Sequence, residues 1–188
     1  YNVPSDKKII LYPGRLTSWK GQIEFLNILE LLDSKNLICY FVGDYKNNSY
    51  KNKLTNQIKK RNLSFCCKIV GHLSREDIRF MYKSADIIIS APLKPEGFGR
   101  IISESLAMKK IVLSYNFGGA KDQLLGLDKL FSVNPFDKGQ MIEKINKVFE
   151  FSANTIDDLG KISRNHIINN FSNNMMLKKY YDLYKKII

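Results

Sequence analysis

The chain has 188 residues, 44% hydrophobic and 26% charged, with 30 Lys and Arg against 18 Asp and Glu for a formal net charge of +12. That length is one domain's worth with a sizeable core, and the balance excludes a disordered or fibrous chain. No apolar run approaches the roughly 18 residues of a membrane span, and the charge favours anionic partners (phosphorylated ligands, nucleic acid or an acidic membrane surface) unless it is only a solvated lysine-rich surface.

The first eight residues are polar and the apolar block 9–12 is too short for a leader peptide, so none is expected. Residues 8–13 (KIILYP) read as a buried strand. Residues 21–32 (GQIEFLNILELL) have helical periodicity, with Ile23, Leu26, Ile28 or Leu29, and Leu32 near one face. Residues 37–43 (LICYFVG) predict the second strand, 50–61 a mostly polar helix, and 67–71 (CKIVG) the third strand. Ser74 is a candidate N-cap for a helix over 75–84, and 86–90 (DIIIS) predict the fourth strand. A helix from Gly97 or Gly99 to Met108 leads to a strand over 111–115, a short helix over 119–125 and a weaker strand over 130–133. Helices over 138–151, 155–170 and 173–188 close the chain.

Six strands, most followed by a helix and apolar along their whole length, are the pattern of a parallel sheet covered on both faces. The expected fold is therefore α/β: one doubly wound, Rossmann-like domain spanning 1–188. Ligands of such sheets bind outside the carboxyl ends of the strands, which directs attention to the loops that follow them. Cys39, Cys66 and Cys67 show neither a metal spacing nor a disulfide framework, as in a cytosolic protein with reduced thiols. His72 and His166 match no ligand spacing, and no metal is expected.

The loop after the first strand reads GRLTSWKG. Its Arg15 and Lys20 are able to grip a diphosphate together, one as a two-toothed fork and the other as a point charge; the plainer alternative is a pair of surface cations. The fourth strand runs into PEGFGRIISESLA. Gly97 and Gly99 allow close backbone approach to a ligand, and the helix start offers free N–H groups to phosphate oxygens. Glu96 stands beside that anion site, either as an ordinary acid at a helix start or as an acceptor for ligand hydroxyls. Glu104, eight positions on, lies in an apolar, small-residue helix where a buried carboxylate is costly unless paired; a ribose diol would pair it. No GxxxxGK[ST] is present, and no GxGxxG follows the first strand, so neither nucleotide fingerprint applies. These loops describe a site for a nucleotide sugar.

In this order and spacing GRLTSWKG, the VGD after the second strand, VGHLSREDIRFMYKSADIIISAP, PEGFGRIISESLA and NFGGAKDQL resemble the C-terminal, donor-binding domain of GT-B glycosyltransferases of family 4, the group 1 type, over almost the whole chain. The resemblance implies a retaining, metal-independent hexosyltransferase using a UDP- or GDP-sugar, with no separate cofactor. It gives Arg15 and Lys20 to the diphosphate, and Glu96 to the donor sugar as the catalytic acid of the pair. The backbone of Gly97, Phe98 and Gly99, continued by Arg100 and Ile101, goes to sugar and phosphates, and Glu104 to the ribose. Leu73 and Arg75 fall near the nucleobase, with Gly43 and Asp44 beside the donor.

It also implies a missing N-terminal acceptor domain, with residues 1–7 a linker remnant and the helix over 173–188 reaching toward that domain with Tyr180, Tyr181 and Tyr184 exposed. The chain alone is then a fragment that binds donor and transfers poorly. An acceptor such as a glycan, lipopolysaccharide or glycolipid would suit a cytoplasmic enzyme drawn weakly to an anionic inner-membrane face. Lys109 and Lys110 depart from the family's glycine and proline, and Asp122 from its glutamate. Two other readings stand beside this one: a nucleotide-sugar epimerase domain of the same fold, and a basic nucleic-acid-binding module, which lacks any recognisable motif.

Overall fold

The computed structural model describes residues 6–187. Branched and aromatic apolar runs form six strands: β1 (Lys8–Pro13), β2 (Leu37–Val42), β3 (Cys67–Gly71), β4 (Ile87–Ser90), β5 (Ile111–Tyr115) and β6 (Ser132–Val133). Every residue of β2, β4 and β5 is buried, as their continuous apolar character requires of strands covered on both faces. The strands pair in parallel in the order β3-β2-β1-β4-β5-β6. The chain thus steps outward from β1 to β3, returns past β1 to β4, and steps outward the other way. The two directions part between β1 and β4, where a crevice must open at the strands' carboxyl ends.

The helices are α1 (Gln22–Leu29), α2 (Asn48–Lys60), α3 (Arg75–Ser84), α4 (Arg100–Ala107), α5 (Gly119–Leu124), α6 (Lys138–Phe149), α7 (Ala153–Phe171) and α8 (Asn173–Ile187). Side-chain caps start five of them: Asn47, Ser74, Asp137, Ser152 and Ser172 accept from the N–H groups of Ser49, Asp77, Gln140, Thr155 and Met175. The helix expected over 21–32 ends earlier, at Leu29; the chain goes on as a turn in which the Leu31 N–H donates to the Ile28 carbonyl at 3.1 Å, with Leu31 exposed and Leu32 buried. Single 3-10 turns at Ser18–Lys20 and Ser34–Asn36 were not foreseen.

Lys109, standing where a glycine would end α4, nonetheless takes φ 58°. α7 packs closely on this turn: Gly160 brings the α7 backbone against Lys109, and the Arg164 guanidinium donates to the Ala107 carbonyl. α8 buries no residue; Met176, Leu177, Tyr180, Tyr181, Leu183, Tyr184 and Ile187 are all exposed, matching the expected aromatic face. Of the stretch read as a linker remnant, residues 1–5 lie outside the described residues.

Candidate functional site

A cavity of about 650 Å³ occupies the crevice between β1 and β4. Gly14, Arg15, Trp19 and Lys20 enter it from the loop after β1, Gly43 from the loop after β2, and Glu96, Gly97 and Gly99 from the loop after β4. The first turns of α4 add Arg100, Ile101 and Glu104; His72, Leu73, Ile78 and Tyr82 close the side formed by β3 and α3.

The first loop is held from beneath. The fully buried Tyr12 hydroxyl donates to the Lys20 carbonyl at 2.6 Å, and the buried Gln22 amide donates to the Arg15 carbonyl at 3.0 Å while accepting from the Tyr50 hydroxyl at 3.2 Å. At residue 43 any Cβ would overlap the Gly14 carbonyl, so only glycine lets the two loops meet. Arg15 is exposed, and its guanidinium has no hydrogen bond or ion pair among the described residues. Lys20 is different: its ammonium pairs with the Glu96 carboxylate, both mostly buried, and lies 4.7 Å from the Trp19 ring centre.

The second loop is braced by α5. The Gly119 N–H donates to the Glu96 carbonyl at 2.8 Å, and the buried Gln123 amide donates to the Phe98 carbonyl and, at 3.4 Å, to that of Gly99. In a planar trans peptide the N–H points opposite to its carbonyl, so the Gly97 and Gly99 N–H groups turn away from α5. None of the backbone N–H groups of 97–101 has an acceptor among the described residues. A Cβ at Gly97 would meet nothing within 4 Å, and Gly99 needs its left-handed φ of 79° to start α4. The result is a row of unpaired donors at a helix start, with the Arg15 and Arg100 guanidiniums on the same cavity and unpaired among the described residues: a site for an anion with several oxygens.

Glu104 is not buried, contrary to expectation. α4 turns Ile102, Ser105 and Leu106 inward and leaves Glu104 on its cavity-facing side, exposed, where Oε2 accepts from the Tyr82 hydroxyl at 3.1 Å. Burial first, then the Glu104 charge, push the Tyr82 phenol well above its ordinary range, so it keeps its proton and remains a donor.

Two further expectations change. Arg75 opens α3, is exposed and does not line the cavity; Ile78 and Tyr82, deeper in α3, do. The Phe98 ring leaves the cavity for a second groove beside α8, 6.1 Å from the Phe171 ring centre, although its backbone stays in the cavity turn. Trp19, His72, Ile78 and Tyr82 were not foreseen. The i, i+4 spacing of Ile78 and Tyr82 was the signal for those two, since it sets both on one helix face. Among the described residues no group of three or more His, Cys, Asp or Glu converges to hold a metal ion, and no helix is long and apolar enough to cross a membrane.

The family model described as glycosyl transferases group 1 matches residues 1–166. A glycosyltransferase from Rickettsia africae ESF-5 superposes with a TM-score of 0.87 at 36% identity, over 100% of this chain and 49% of that one. Anabaena Alr3699/HepE, solved in complex with UDP and glucose, superposes with a TM-score of 0.85 at 21% identity, over 97% of this chain and 49% of that one, a likeness of fold. The capsular polysaccharide biosynthesis glycosyltransferase CapM of Staphylococcus aureus is 24% identical over 191 residues, 98% of this chain and 47% of that protein. The lipopolysaccharide 1,2-N-acetylglucosaminetransferase of Salmonella typhimurium is 26% identical over 155 residues, 78% of this chain and 40% of that protein. The chain spans about half the length of the relatives it matches.

Proposed function

This chain belongs to the group 1 glycosyltransferases, and on that premise we propose that it is the donor-binding domain of a retaining, metal-independent enzyme that moves a sugar from a UDP- or GDP-sugar to a glycan, lipopolysaccharide or glycolipid. The observation that carries the reading is the convergence of Arg15, Lys20, Glu96 and the unpaired N–H groups of 97–101 on one cavity at the sheet's switch point. Anabaena Alr3699/HepE, with the same fold, was crystallised with UDP and glucose.

Arg15, Lys20 and the 97–101 amides hold the diphosphate and neutralise the charge that grows on it as the glycosidic phosphate bond breaks, work that a divalent ion would otherwise do. The acceptor oxygen forms its bond to the anomeric carbon on the face the phosphate leaves, and its proton passes to the departing phosphate oxygen. Glu96 orients the sugar and stabilises the positive charge developing at that carbon. Glu104 takes the ribose hydroxyls, and Leu73 with Ile78 gives the base an apolar wall. The exposed apolar face of α8 fits a second domain carrying the acceptor site, and the net charge of +12 fits a weak hold on an anionic membrane. Epimerase and nucleic-acid readings are not favoured by these matches.

Titrating the chain with UDP, GDP and their sugars by calorimetry, with a DNA oligonucleotide as control, tests the reading. Saturable binding of one nucleotide series is expected, weakened about 10- to 100-fold by Arg15→Ala or Lys20→Ala through loss of charge-assisted hydrogen bonds. Base-indifferent binding of DNA that collapses with salt, and no nucleotide binding, would overturn it. Chelation with EDTA should leave nucleotide binding unchanged.

A further inference from the structure

Glu104 holds its carboxylate on an exposed helix face, where a glutamate with three free torsions would ordinarily sample many positions. Among the described residues its one hydrogen bond comes from Tyr82, twenty-two positions earlier on a different helix. Tyr82 is only 3% exposed, so its ring is fixed by packing; the residue lines the cavity and its hydroxyl reaches Glu104. A phenol has one proton to give. It gives it to Oε2, which leaves Oε1 and the remaining lone pairs of Oε2 for other donors. A vicinal diol presents two such donors side by side. Ser74 starts α3 as its cap, and α3 thereby carries the fixed phenol to the point where it meets α4.

We propose that Tyr82 is a positioning residue: by pinning one oxygen of Glu104 it aims the other at the ribose of the bound nucleotide, and so sets the preference for a ribose over a sugar lacking those hydroxyls. This rests on the donor-site reading above. Its energy comes from order already present before the ligand arrives, because the carboxylate loses less freedom on binding. The high proton affinity of the buried phenol supports it, since the hydroxyl does not titrate away near neutral pH.

The test is a set of calorimetric titrations with UDP and GDP, each beside its 2′,3′-dideoxy form, on the wild-type chain, Tyr82→Phe, Glu104→Ala and the double variant. Phenylalanine keeps the buried ring, and the midpoint of thermal unfolding verifies folding. The expected result is that Tyr82→Phe weakens the ribose nucleotide by about three- to tenfold, the worth of one flexible side chain ordered in advance, and leaves its dideoxy form unchanged. In the Glu104→Ala background the same substitution should then have no effect. Equal weakening of both nucleotide forms, no weakening of either, or a Tyr82 effect that survives without Glu104 would overturn the inference while leaving the donor site intact. If the wild type binds neither ribose nucleotide, the donor-site reading falls and the inference with it.

Discussion

The pairing of Lys20 with Glu96 sets two assigned partners of a nucleotide sugar against each other before the ligand arrives. The ammonium can serve a diphosphate fully only by loosening its hold on the carboxylate, so Glu96 competes with the phosphates. Glu96→Gln is therefore expected to tighten UDP or GDP binding by about three- to tenfold, read by calorimetry, while the whole enzyme carrying it loses transfer. Lys20→Ala works in the opposite direction, removing a phosphate partner and stranding a mostly buried carboxylate. The sequence exposed Arg15, Lys20, Gly43, Glu96, Gly97, Gly99 and Glu104 because each lies in, or just beyond, a loop at a strand's carboxyl end, and the structure brings all of them to one cavity. What it hid were contacts between side chains far apart along the chain. Lys20 and Glu96 are 76 positions apart and Tyr82 and Glu104 22 apart, so no local pattern records either pair. For the same reason nothing local showed that Phe98 would turn its ring toward Phe171.

Strand positions were readable to within a residue or two because each apolar run is cut by glycine, proline or a polar residue, while the end of α1 shifted because no glycine or proline marks where the chain turns out of it. Helix-to-loop packing was less visible, and glycine governs it at several places, Gly119 and Gly160 among them. A Cβ on Gly119 would come within 2.6 Å of the Phe98 carbonyl oxygen, pushing on the turn whose amides line the cavity. Gly119→Ala should therefore weaken nucleotide binding by about tenfold or more, out of proportion to its effect on unfolding, since positioned donors lose strength steeply with displacement. A Cβ on Gly160 would stand 2.6 Å from the carbonyl oxygen of Lys109, which follows the C-terminal end of α4 and does not line the cavity. Gly160→Ala should cost about 1–3 kcal/mol in urea unfolding through overpacking, with nucleotide affinity little changed.

Across the whole molecule, the strand order decides where the site lies; six apolar strands alternating with helices implied a doubly wound sheet and a site at the strands' carboxyl ends, but not the order itself. α8 stands apart from that plan. With no buried residue and a row of exposed Met, Leu and Tyr side chains, it has little of its own to resist local opening. In hydrogen exchange on this chain its amides should exchange about 100-fold faster than those of β2 and β5, the strands whose every residue is buried. Full protection of α8 in the chain alone would show that the helix is held by contacts this fold does not display.

Phe98 sits astride two territories. Its glycine neighbours look into the nucleotide cavity, while its ring shares a groove with Met176, Tyr180 and Leu183 of α8. A body leaning on that last helix would press against the same Gly97–Phe98–Gly99 turn that is proposed to hold the ligand's oxygens, so news of its arrival would have a single aromatic ring to cross.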